Sequence, residues 1–219
     1  MNAILNFIGK FKAKPFIQIF TIYLRYLIGA AFVIAAIGMG KLSGSEIIMS
    51  SPGEPIEKLQ PLQQFFKVMA MSGLYWKFIG WTQIIAGALL MTQRYAKLGA
   101  VLFFPLILNI FVITVSYHFQ GTPFITGLML LAATFLILWD LNSFQFIFRN
   151  PVKENLPMPV SLSVIDRPYW SVIGVLMLVS VIAMALFKVN EFVQLLIAFA
   201  EGLLAFLFYI IALRNKQTV

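Results

Sequence analysis

Apolar residues along this chain gather in long runs separated by short polar breaks. The runs are Phe16–Gly40, Trp76–Met91, Leu98–Tyr117, Pro123–Trp139, Tyr169–Phe187 and Phe192–Leu213. A helix needs about 20 apolar residues to cross the hydrocarbon of a bilayer, and these runs approach or exceed that length. Six membrane spans are therefore predicted. The two-residue alternation and regular turn breaks of an outer-membrane barrel are missing from the pattern. The fold class is all-α, a polytopic membrane helical bundle.

The breaks divide the chain. A four-helix unit occupies residues 1–142, with an outer loop at 42–75 that begins rich in Gly, Ser and Pro and continues as Phe65-Phe66-Lys67-Val68-Met69-Ala70-Met71, a pattern suited to an amphipathic interfacial helix. Residues 143–168 carry Pro151, Pro157, Pro159 and Pro168, too many to continue a helix. They read as a cytoplasmic tether to a terminal transmembrane hairpin at 169–219. Lys10, Lys12 and Lys14 precede the first run, but that run is longer than a signal peptide's apolar core and has no clear small-x-small cleavage site. It is predicted to stay as a helix.

Composition narrows the chemistry. Of 219 residues, 61% are hydrophobic and 11% charged, against about 25% charged in soluble proteins, which excludes a water-soluble fold. The net charge of +8 comes from cations at the ends of apolar runs, a pattern of membrane orientation and not of nucleic-acid binding. Lys10, Lys12, Lys14, Arg25, Arg94, Lys97, Arg149, Lys153, Arg167, Arg214 and Lys216, 11 of the 16 basic residues, share one side. That side is predicted to be the cytoplasm of a bacterial inner membrane, with both termini inside. The chain has no cysteine and one histidine, so thiolate metal sites and dithiol relays are excluded, and no haem-holding histidine pair exists. Nor does any hydrolase triad order, metalloprotease motif, P-loop or dinucleotide fingerprint occur. A self-contained enzyme is not expected.

Polar residues inside spans are the informative ones, because lipid penalises each unless it finds a partner or a wet cavity. The candidates are Arg25, Gln83, Asn109 and Glu201, with His118 at the outer end of the third span. Gly80, Gln83 and Gly87 share a helix side, as do Gln194, Ala198, Glu201 and Ala205, and both stripes read as helix seams. Arg25 has two readings, a snorkelling cation or a buried partner of Glu201. Counting roughly 1.5 Å per residue puts Arg25 and Glu201 about 5–6 Å apart in depth. Gln83 and Asn109 are expected to face the interior and share a cavity. Pro105 leaves the carbonyl of Val101 without its helical donor, and Asn109 follows four residues later. His118 reads as an interfacial side chain or, more sharply, as a hydrogen-bond donor to a quinone carbonyl.

Arg25, Gly29 and Gly38-Met39-Gly40-Lys41-Leu42, then Gly80-Trp81-Thr82-Gln83 through Gly87-Ala88-Leu89-Leu90, then Arg94-Tyr95-Ala96-Lys97-Leu98-Gly99-Ala100, carry a family likeness. Over roughly residues 20–142 the chain resembles the DoxX/DoxD-like integral membrane proteins. The resemblance implies a small four-helix membrane subunit, linked in some members to thiosulfate:quinone oxidoreduction and in others to maturation or stress-linked redox complexes. The family often has glutamate where Gln83 stands. Two functions are expected from different classes. One is a subunit of a bacterial redox or quinone-linked system, in which Arg25, Gln83, Asn109, His118 and Glu201 line a pocket for quinone or lipid. The alternative is a non-catalytic assembly or chaperone-like protein that binds a partner through its helix seams and outer loop. Membrane lipids and other membrane redox subunits are the expected partners, nucleic acid is not, and quinone is the one cofactor considered.

Overall fold

The structure is a computed structural model that describes residues 10–42, 55–118, 120–141, 164–165 and 167–214. Among the described residues these α-helices follow in order: α1 (Pro15–Gly38), α2 (Pro61–Met71), α3 (Leu74–Met91), α4 (Ala96–Ser116), α5 (Thr122–Trp139), α6 (Pro168–Leu186) and α7 (Glu191–Phe208). A 3-10 turn at Ile56–Lys58 precedes α2, and a π-helical turn, Tyr209–Arg214, extends α7. No strand occurs among the described residues. Five helical stretches, Pro15–Gly38, Ala96–Ser116, Thr122–Trp139, Pro168–Leu186 and Phe192–Ile211, are long and apolar enough to cross a membrane. The helix α3 is not among the five; it carries Lys77 and Gln83 within its 18 residues. Most of the 42–75 loop that precedes α2, and the proline cluster at 151–159, lie outside the described residues.

The helix α1 is the central post of the bundle, and its surface explains why. Its buried side chains run from Gln18 through Ala36 and include the polar Gln18, Thr21 and Arg25, while Phe16, Phe20 and Leu27 stay exposed. On one side Ile28 and Phe32 join Ala86, Leu90, Ala100, Phe103, Ile107, Ala133 and Leu136, a core shared with α3, α4 and α5. On the other, Ile22, Tyr26, Ala30 and Val33 join Trp170, Met177, Val181, Ala198 and Tyr209 of the terminal helices. The hairpin expected as an appended unit is thus packed directly on α1 and α3.

Close approach without a hydrophobic driving force needs small residues at the contact. At the α1–α3 crossing a Cβ on Gly87 would lie 2.6 Å from the Gly29 carbonyl oxygen, and one on Gly29 would lie 2.8 Å from that of Gly87. The hairpin is held as tightly, since a Cβ on Gly174 would fall 1.8 Å from the Met91 carbonyl oxygen. Tyr23, Tyr26 and Tyr169 donate to the carbonyls of Gly202, Trp170 and Ala205. Gln18, fully buried in α1, accepts from the backbone N–H groups of Val164 and Ile165 at 2.9 and 3.1 Å and donates to the carbonyl of Lys12. The end of the expected tether is therefore clamped into the core.

Helix endings set the polar geometry. Beyond Gly38 the chain turns through Gly40 at φ 63°, with Gly40 N–H bonded to Ile37 and Lys41 N–H to Ala36, the paired bonds of a Schellman motif. Gln93, His118 and Lys188 take the same left-handed position after α3, α4 and α6 at φ 57°, 49° and 54°.

Candidate functional site

Polar side chains collect at the two ends of the α1–α3 seam, beside Arg25 near the middle of α1 and beside Lys41 just past its last turn. At the first, Arg25 is 4% exposed and Asp140, the residue closing α5, is 9% exposed. Arg25 Nη2 meets Asp140 Oδ2 at 3.0 Å, while Nη1 donates to Gln93 Oε1 at 3.0 Å. Lys12 donates to the Trp139 carbonyl and lies 5.6 Å above the Trp139 ring. A carboxylate at a helix C-terminus opposes the helix dipole, so this acid depends on the cations around it. Burial pushes the Asp140 carboxyl above its ordinary value, and Arg25, Lys97 and Lys12 pull it partly back. Lys12 is lowered by burial against the opposing attraction of Asp140.

At the other end Lys41, 4% exposed, donates to Gln83 Oε1 at 2.7 Å and stands 5.2 Å from the Trp76 ring. Gly80 makes room, since a Cβ there would lie 2.6 Å from Lys41 Cβ. Burial without a hydrogen-bonded carboxylate lowers the Lys41 amine to about 8.

A third group lies between the terminal helices. Ser180 donates to Glu201 Oε1 at 2.6 Å, and Glu201 Oε2 is buried with no hydrogen-bond partner among the described residues. Gln194, two turns earlier, donates to the Val189 carbonyl at 2.7 Å.

Two expectations are corrected here. Arg25 does not pair with Glu201. The helix α7 meets α1 on the side of Tyr23, which bonds Gly202, and residues two apart on a helix point roughly 200° apart. Equal depth did not secure equal direction. Asn109 does not face the interior with Gln83: it is exposed on α4 beside an outward groove, while Gln83 is 2% exposed against Lys41. His118 is exposed at a helix-ending turn, its N–H bonded to the Val115 carbonyl. Arg25, Gln83, Asn109, His118 and Glu201 thus do not converge on one cavity.

The residues that complete the nodes, Asp140, Gln93, Lys12 and Lys41, were outside the predicted set. Asp140 had one signal. It directly follows the fourth apolar run, on the side where lysine and arginine predominate.

No family model matches the chain, and no solved structure matches it. It is similar to the Uncharacterized protein YwoB of Bacillus subtilis (strain 168), 36% identical over 80 residues, which is 36% of this chain and 51% of the relative. The match spans about half the length of that relative.

Proposed function

We propose that this chain is a six-span, DoxX-like membrane subunit that works by assembly with other membrane proteins, without chemistry of its own. The observation that carries the reading is the use of its intramembrane polar groups. Arg25, Gln83 and Glu201 each engage a side chain of the same chain, Asp140, Lys41 and Ser180. A shared quinone wall of Gln83 and Asn109 has no such support. The hollows at Pro105–Ile113 of α4 and Ser171–Leu176 of α6 open outward.

Support for the sixth span comes from α3 itself. It meets α1 at two levels, through Gly80 at Lys41, just past the end of α1, and through Gln93, just past the last turn of α3, at Arg25 near the middle of α1. The helix α3 therefore lies alongside the second half of a spanning helix, which supports counting it as a span. The lysine and arginine bias supports a cytoplasmic position for the Lys12 end and both termini. The DoxX-like residues support the family reading in the same way, because Gly29, Gly87, Gly80, Lys41 and Gln83 all stand on the one α1–α3 seam. The resemblance makes a redox or quinone-linked system the setting.

The test is purification from membranes in mild detergent, followed by native mass spectrometry and solvent extraction. An assembly heavier than one chain, without stoichiometric quinone, is expected. Quinone held one-to-one by the native chain and lost from Gln83→Leu would replace this reading with the pocket.

A further inference from the structure

The helix α4 presents to the outside a stripe that lipid covers poorly. Val101, Pro105, Leu108, Asn109, Val112 and Ser116 are all exposed, and their spacing puts them along one helix side. Ser116 bonds back to the carbonyl of Val112, so its hydroxyl is satisfied. Asn109, near the middle of the span, has no hydrogen bond among the described residues. Pro105 offers no N–H to the Val101 carbonyl one turn earlier. The amide donor and amide acceptor of Asn109 thus face outward at a depth where lipid supplies no partner. Beside the amide, Pro105, Leu108, Asn109, Val112 and Ile113 line an open groove of about 350 Å³.

We propose that a second copy of this chain covers this face, with the Asn109 amides of the two copies hydrogen-bonded to each other. The inference rests on the assembly reading and names its partner. Copies of a membrane protein insert with one orientation, so a two-fold axis between them runs along the membrane normal. Such an axis brings residues of equal depth together. An amide is self-complementary under that symmetry, because each Nδ2 donates to the other Oδ1 and both pairs close at once. From Leu98 to Ser116 the chain carries no charged residue, so two α4 helices meet there without like-charge repulsion. The grooves receive the apolar side chains of the facing helix on either side of the amide pair.

The chain lacks cysteine, which makes disulfide mapping in native membranes direct. Leu108→Cys and Val112→Cys keep Asn109, while Leu131→Cys, outward on α5, and Val179→Cys, outward on α6, report random collision. Oxidation is expected to give dimers at 108 and 112 well above those at 131 and 179. Adding Asn109→Val should lower the dimer fraction roughly fivefold or more, and thermal melting of the detergent-purified variant checks that it folds. Dimers at 108 and 112 that persist in the folded Asn109→Val background would overturn the proposal, as would yields no higher than at 131 and 179. Adducts at 112 to a different membrane protein would overturn the self-association and leave the assembly reading standing. Monomers throughout, together with a one-to-one bound quinone, would remove both.

Discussion

The two ends of the α1–α3 seam solve the same problem with different chemistry. At the Arg25 end a cation and an anion are buried together; at the Lys41 end a cation is buried with an amide oxygen and an aromatic face. Burial acts on both, pushing the Asp140 carboxyl up and the Lys41 amine down. What differs is the consequence of losing a member. Deleting either partner at the first end strands an opposite charge; at the second, deleting Lys41 strands a neutral amide, and deleting Gln83 strands an amine that burial already biases toward its neutral form. The first end should therefore be brittle under mutation, and the second should respond mainly to pH.

The largest effect is expected from Arg25→Met, which leaves Asp140 buried and unpaired. Breaking a buried pair in this way costs about 3–5 kcal/mol, and replacing both partners by apolar residues is far milder. Thermal unfolding in detergent of Arg25→Met, Asp140→Leu and the double variant should show the double above either single. Additive losses would mean that the ion pair is not a unit and that the contrast between the ends fails.

Next is the pH response of the Lys41 end. Its folded value, about 8, lies below the ordinary 10.5, so the unfolded chain binds the extra proton between those values. Stability must then rise with pH from about 8 to about 10.5, by at most on the order of 3 kcal/mol. Lys41→Met should flatten the rise seen in thermal melts. A rise of the same size in that variant would assign it to another group.

How much of this was readable from the sequence divides along a physical line. Lipid tolerates so few polar residues that span positions are written in composition, and the helices fall close to the apolar runs. Direction around a helix is not written so. Glu201 and Asp140 were both available to Arg25, and only the packing of α7 on the Tyr23 side decides between them. Asp140 stands just outside a run, where an acid looks like an ordinary end residue. Gln93 owes its role to a left-handed turn at φ 57°, a conformation that glutamine rarely signals. Gln18 sits in the first turns of a span, where a polar side chain reads as interfacial, yet it is fully buried and clamps residues 164 and 165.

A smaller effect should separate the ends sterically. Gly80→Ala would put a Cβ 2.6 Å from Lys41 Cβ, and overpacking of this kind costs typically about 1–3 kcal/mol. The displacement falls on the Lys41 end alone. Melting in the Gly80→Ala background should therefore lose part of the rise between pH 8 and 10.5, while the penalty of Arg25→Met stays unchanged. If Gly80→Ala altered the Arg25→Met penalty, the two nodes would be coupled through α1 and the comparison would have to treat them as one.

The smallest net effect is expected at Gln93, where two terms oppose each other. Its side chain accepts from Arg25 at 3.0 Å, and a hydrogen bond to a charged group contributes about 1.5–3 kcal/mol. Its backbone holds φ 57°, a conformation that costs a residue with a Cβ about 1–2 kcal/mol and glycine almost nothing. Gln93→Gly removes both terms, so its melting temperature should stay near that of the native chain. Gln93→Ala removes the hydrogen bond and keeps the strain, so it should be the less stable of the two by about 1 kcal/mol. In an Asp140→Leu background the gap between alanine and glycine should persist, because it belongs to the backbone. The loss common to both should grow there, because Gln93 then carries a larger share of what holds the Arg25 Nη atoms. A gap that vanished would show that the turn relaxes once the ion pair is gone, and that Arg25, through Asp140, is what holds the end of α3 in place.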